Sequence, residues 1–148
     1  MELDNKDVTI LNNLRKDAKL TTQQLSKKTN IPISTVHNRI RKMEQIGIIK
    51  GYTVVPDFEK LGLNLCAFSL ITFDFDKAKK AGLTQIAIAK KIKENNDVES
   101  AYLITGDEDI LVKIRVKNVH QLSEDVTQRL RDIPGVQKIK TIIVLEEV

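Results

Sequence analysis

Pro32 stands in the middle of TTQQLSKKTNIPISTVHNRIRKME, residues 21–44, between two stretches of helical periodicity. Proline lacks an N–H and collides with the carbonyl four residues back, so one continuous helix is excluded and two short helices joined by a tight turn are required. The first helix is announced by Thr21 and Gln24, a T-x-x-Q capping box in which each side chain satisfies a free backbone N–H, and by Leu20 with Leu25 at the positions of a hydrophobic staple. The turn falls over Thr29 to Pro32. The next helix starts near Pro32 to Ser34 and runs to about Gln45, where Gly47 ends it. Upstream, Asp4 and Asp7 read as cap and first-turn acid of a further helix through about Lys16, with Val8, Leu11 and Leu14 on one stripe.

Two helices joined by a turn of three or four residues make a helix-turn-helix, whose second member lies in the major groove of DNA. At about 100° per residue, Val36, Ile40 and Met43 share one face of that helix and must pack inward. The opposite face holds Ser34, Asn38 and Arg41, flanked by Thr35, His37 and Lys42, with no acid until Glu44. Charge is distributed to match. Residues 1–60 hold 11 Lys/Arg and 7 Asp/Glu, residues 61–148 hold 13 of each, and Arg15 to Lys50 holds 9 against 2. A basic segment of this kind suits a polyanion such as double-stranded DNA. Charge alone fits a solvated helical face equally well, and it is the periodicity that separates the two readings.

Several function classes are disfavoured. No apolar run approaches the roughly 18 residues of a membrane span. The start, MELDNKDVTI, is acidic where a secretory signal is basic, so a cytoplasmic location is expected. The single cysteine, Cys66, lies in the apolar run LCAFSLITF and is expected to be a small buried hydrophobe. With only His37 and His120 besides, no metal ligand set exists. There is no G-x-S-x-G and no glycine-rich phosphate loop, so neither an enzyme nor a cofactor is expected.

At 148 residues the chain can form one domain or two small ones. GYTVVPDFEKLGL reads as a connector, which divides the chain into 1–50, a linker strand over 51–63, and 64–148. Beyond it come strand LCAFSLITFDF, helix TQIAIAKKIKENN, strand VESAYLITG, strand DILVKIRV, helix VHQLSEDVTQRLRDI and strand VQKIKTIIVLEE. This β-α-β-β-α-β order is that of the ferredoxin-like fold, an antiparallel sheet with two helices on one face, and makes the whole chain α+β. The first of these strands is apolar at almost every position, which predicts cover on both sheet faces. Helices supply one side. A second chain in a two-fold dimer, or the chain's own N-terminal domain, supplies the other.

Four segments, LDNKDVTILNNLRKDAK, STVHNRIRKMEQIGIIKGY, TGDEDILVKI and IPGVQKIKTIIVL, resemble the Lrp/AsnC (feast/famine) transcription regulators of bacteria and archaea, over essentially the whole chain. The resemblance implies a winged helix-turn-helix domain followed by a RAM domain, which forms a homodimer through its sheet, assembles dimers into an octamer or other ring, and binds an amino-acid effector between dimers. It places Ser34, Thr35, His37 and Asn38 at base edges and Arg39, Arg41 and Lys42 at phosphates. This is chemically reasonable, since Asn pairs bidentately with adenine while basic side chains position the protein. Thr22 and Gln23, at the N-terminus of their helix, would hold a phosphate through backbone N–H groups. Pro32 departs from the family, which often has a capping residue there.

The turn matches the family's effector segment, with Thr105, Gly106, Asp107 and Asp109 as the implied ligand contacts. A bare Gly106 amide can approach an α-carboxylate, and Asp107 or Asp109 can accept from an α-ammonium. Glu108 stands where relatives commonly carry an aromatic or apolar residue, which disfavours acidic ligands and favours basic ones such as lysine. A plain hairpin turn explains the same residues. The adjacent acids lack the alternating spacing of a calcium loop. Two other functions fit parts of the sequence: a ferredoxin-like regulatory subunit of amino-acid metabolism, and a non-specific architectural DNA binder.

Overall fold

The structure is a computed structural model and describes residues 2–147. By its internal contacts the chain divides into two compact units between Val55 and Pro56.

The first unit holds α1 (Asn5–Lys16), α2 (Thr22–Thr29) and α3 (Ile33–Gln45). Their shared core is Ile10, Leu14, Leu25, Ile31, Val36 and Met43, with Leu11, Leu20 and Ile40 packed against it. The stripe predicted for α1 is displaced. Val8 is 42% exposed and Ile10 is fully buried, with Asp7 and Leu14 completing the inward face. An acid at an inward position breaks an apolar pattern, and Asp7 is tolerated there because it has an ionic partner, described below. The capping box of Thr21 and Gln24 is present, with Thr21 N–H donating to Gln24 Oε1 at 2.8 Å and Gln24 N–H to Thr21 Oγ1 at 3.2 Å. Asn30 adopts a left-handed conformation (φ 55°) that ends α2 and turns the chain toward Pro32. Pro32 stands at the N-cap of α3 without a side-chain cap, and its carbonyl accepts from Val36 N–H at 2.9 Å. After α3, the YTVV segment, expected to be extended, forms no strand among the described residues.

The second unit contains β1 (Leu65–Phe73), α4 (Phe75–Lys80), α5 (Gln85–Lys93), β2 (Val98–Leu103), β3 (Ile110–Val116), a π-helical segment Gln121–Thr127 running into α6 (Gln128–Arg131), and β4 (Val136–Ile143). The sheet order is β2-β3-β1-β4 with every neighbour antiparallel, the ferredoxin-like arrangement. The short α4 is an addition to the predicted elements. Its N-cap Asp74 accepts from Lys77 N–H at 3.0 Å, so the strand stops at Phe73, and Asp74 and Phe75, expected to continue it, begin a helix. Gly135 makes this possible. It has φ 93°, its carbonyl accepts from Asp74 N–H at 2.8 Å, and a Cβ there would lie 2.7 Å from Ala78 Cβ.

Ala67, Ile71 and Phe73 of β1 and Ile110, Val112 and Ile114 of β3 form the inner face, packed with Ile88 and Ile92 of α5 and with Leu122, Val126 and Leu130. Ser69, fully buried in this strand, pairs its hydroxyl with that of Thr141 at 3.0 Å, which explains a polar residue in an apolar run. By alternation and register, Phe68 and Leu70 lie on the other face with Leu111, Tyr102 and Ile142. Tyr102 and Ile142 are exposed there. At one end of this face Arg115 donates to both Glu147 oxygens at 3.0 and 2.8 Å and stacks 4.2 Å over the Phe58 ring, while Lys113 bridges Glu99 at 3.0 Å and Glu147 at 3.3 Å. Cys66 is buried, and its burial pushes the thiol pKa up.

Candidate nucleic-acid interface and effector segment

On α3, Val36 and Met43 are buried and Ile40 packs on the core, which turns Ser34, His37, Asn38, Arg41 and Lys42 outward; Thr35 is half-buried. Two grooves flank the helix. On the α2 side, Thr22, His37, Ile40, Arg41 and Glu44 line one of about 380 Å³. Thr21 Oγ1 engages Gln24 N–H, so the N–H groups of Thr22 and Gln23 have no partner among the described residues and face outward from a helix start. Glu44 accepts from Tyr52 O–H at 2.8 Å.

On the α1 side, Glu2, Asp4, Asp7, Thr35, Asn38, Arg39 and Lys42 line a groove of about 420 Å³. Arg39, assigned to phosphate by the resemblance, is otherwise engaged. Its Nη1 lies 2.6 Å from Asp4 Oδ2 and 2.8 Å from Asp7 Oδ1. The two carboxylates hold the guanidinium pKa above its ordinary value, and Asp4 is held below the usual carboxylate range, chiefly by the N–H of Asp7 and further by Arg39. Arg39 therefore differs from Arg41 and Lys42, which are exposed. Neither Asp7 nor Glu2 stood out as part of this surface in the sequence. No local spacing connects Asp7 to a residue 32 positions away.

The β2–β3 turn separates its four implied ligand residues into two kinds. Thr105, Gly106 and Asp107 are exposed, and Gly106 has φ 131°, a conformation that favours glycine. Asp109 is a structural anchor. Its Oδ2 accepts from Phe73 N–H at 2.8 Å, its N–H donates to Ile71 O at 2.9 Å, and its carbonyl accepts from Ile104 N–H at 2.9 Å. One carboxylate oxygen is thus committed to the end of β1, which leaves Oδ1 as the acceptor that Asp109 can offer a ligand. Glu108 is half-buried beside it. Among the described residues no group of three His, Cys, Asp or Glu side chains could hold a metal ion, and no helix is long and apolar enough to cross a membrane.

Comparison with known proteins agrees with this architecture. Residues 3–50 match the winged helix-turn-helix DNA-binding family and residues 70–148 match the Lrp/AsnC ligand binding domain. An HTH-type transcriptional regulator of Pyrococcus furiosus, itself uncharacterised, is 38% identical over 141 residues, spanning 95% of this chain and 91% of its own. The regulator FL11 of the same organism is 36% identical over 144 residues, spanning 97% and 90%. Among solved structures, a Neisseria meningitidis transcriptional regulator in complex with L-Met superimposes with TM-score 0.89 at 28% identity, covering 99% of this chain and 92% of that one. Escherichia coli AsnC superimposes with TM-score 0.83 at 26% identity, covering 99% and 95%. The helix-turn-helix followed along the chain by a ferredoxin-like sheet, and the matches to both halves, make the chain a member of the Lrp/AsnC family: a DNA-binding transcriptional regulator, not an enzyme, with a ligand-binding C-terminal domain.

Proposed function

We propose that this regulator reads a specific DNA sequence with Ser34, Thr35, His37 and Asn38, and holds phosphates with Arg41, Lys42 and the N–H groups of Thr22 and Gln23. The observation that carries the reading is the outward face of α3, where hydrogen-bonding and basic side chains stand opposite the buried Val36 and Met43. In this reading residues 1–50 bind DNA in the cytoplasm, 51–63 connect, and 64–148 dimerise and sense. The exposed apolar side chains of the open sheet face, Tyr102 and Ile142 beside Phe68 and Leu70, support a homodimer through that face. Two recognition helices related by a two-fold then meet half-sites about one helical turn apart, and dimers assemble further into an octamer or other higher oligomer.

The L-Met complex of the Neisseria regulator supports an amino acid as effector. Thr105, Gly106 and Asp107 would receive its backbone groups, with Asp109 holding the turn in shape. Acidic Glu108 favours a basic side chain. The test is equilibrium binding to fragments of the protein's own upstream region against random competitor DNA at fixed salt, with and without a panel of amino acids. Cognate preference is expected, and equal affinity for all fragments would sink the specific reading in favour of an architectural binder. Binding insensitive to every amino acid would remove the effector role of the turn.

A further inference from the structure

We propose that Asp4 and Asp7 hold Arg39 off the DNA backbone, and that this clamp is a determinant of sequence specificity. The inference rests on the reading above that Thr35 and Asn38 meet base edges.

The clamp is pinned from behind. Asp4 Oδ1 accepts the N–H groups of Lys6 and Asp7 at 2.8 and 2.9 Å, and Asp7 Oδ2 accepts the N–H of Asp4 at 3.1 Å. The Asp7 side chain is 8% exposed and that of Arg39 is 27% exposed. Neither carboxylate can follow the guanidinium outward without unmaking the start of α1. Both carboxylates engage Nη1, which anchors the guanidinium against the start of α1, and swinging it out onto a phosphate gives up two charge-assisted contacts, each about twice as strong as a neutral one.

The surroundings give the clamp its consequence. The α1-side groove contains Arg39 and Lys42 against Glu2, Asp4 and Asp7, so this flank carries more negative than positive charge although the segment around it is basic. The α2-side groove offers Arg41, His37 and the free N–H groups of α2, with Glu44, which accepts from the Tyr52 hydroxyl, as its one acid. A phosphate backbone thereby meets a less favourable field on the α1 flank, where Lys42 is the cation left for it, than on the α2 flank. That asymmetry penalises docking in the wrong register, where affinity would come from phosphate contacts alone.

The experiment uses the full-length protein and the double variant Asp4→Asn/Asp7→Asn. Asparagine keeps the capping acceptors while removing both charges. Affinities for cognate and random DNA are measured across a salt series. Non-specific binding should tighten, the ratio of cognate to random affinity should fall, and the log–log salt slope should steepen by about 0.9 as Arg39 joins the phosphate contacts. Arg39→Gln alone should leave the parental slope unchanged, and added to the double variant it should abolish the steepening. A slope made shallower by Arg39→Gln in the parent overturns the clamp, because Arg39 would then already be on phosphate. An unchanged slope and ratio in the double variant also overturns it. If thermal melting shows the double variant unfolded, Arg39→Gln decides alone: an unchanged slope supports the clamp and a shallower one overturns it. Failure of the base-reading hypothesis is distinguishable, since it appears as an unchanged ratio in Asn38→Ala whatever the clamp variants show.

Discussion

Asp109 and Phe73 meet where the β2–β3 turn touches the end of β1: the carboxylate oxygen Oδ2 accepts the backbone N–H at 2.8 Å across 36 residues of chain. Removing the acceptor leaves a half-buried donor unpaired, which costs roughly 1 to 3 kcal/mol. Asp109→Ala should lose about that much stability in chemical denaturation, whereas Asp109→Asn, which keeps an acceptor oxygen, should lose far less. Equal losses in the two variants would show that charge, not this hydrogen bond, matters.

Two glycines should respond differently to the same substitution. At Gly106 (φ 131°) an added Cβ meets nothing within 4 Å, so Gly106→Ala suffers backbone strain alone, on the order of 1 to 3 kcal/mol. At Gly135 (φ 93°) the added Cβ would also strike Ala78. Thermal melting should therefore rank Gly135→Ala clearly below Gly106→Ala. The reverse order would mean that α4 moves aside without cost.

Asn38 and Arg41 should fail in different ways. Asn38→Ala is expected to weaken cognate binding by roughly 1 to 3 kcal/mol and to leave random-sequence binding nearly intact. Arg41→Gln should weaken both and reduce the salt slope by about 0.9. A uniform loss in Asn38→Ala, or an unchanged slope in Arg41→Gln, would reassign that residue.

Acid should weaken the second unit through Glu147. Its folded pKa is depressed below 4.5, first by the Arg115 hydrogen bonds and then by Lys113. A depressed carboxylate contributes stability that is fully present above the unfolded pKa and is lost as pH falls through the folded one. Melting temperature should thus fall below about pH 4.5. The acid limb should be flatter in Glu147→Gln, and parallel profiles for parent and variant would remove Glu147 from the cause.

Local signals were legible because their partners lie within one helical turn or along one strand. Thr21 and Gln24 are three residues apart, Pro32 stops a helix by its own covalent structure, and the order of six strands and helices follows from periodicities of 2 and 3.6. These suffice for a helix-turn-helix followed by a ferredoxin-like sheet, and they select the outward face of α3. What the tertiary structure decided are pairings across distance. Arg39 is paired with Asp7, 32 residues earlier. Asp109 is bound to Phe73, and Arg115 to Glu147. Inward Ile10 replaces Val8, and α4 exists where Gly135 lets it approach. Each depends on how close two separately formed elements come, and an ion pair or a close contact exists only within a few ångströms. A sequence records which side chains are available to such contacts; packing determines which of them meet.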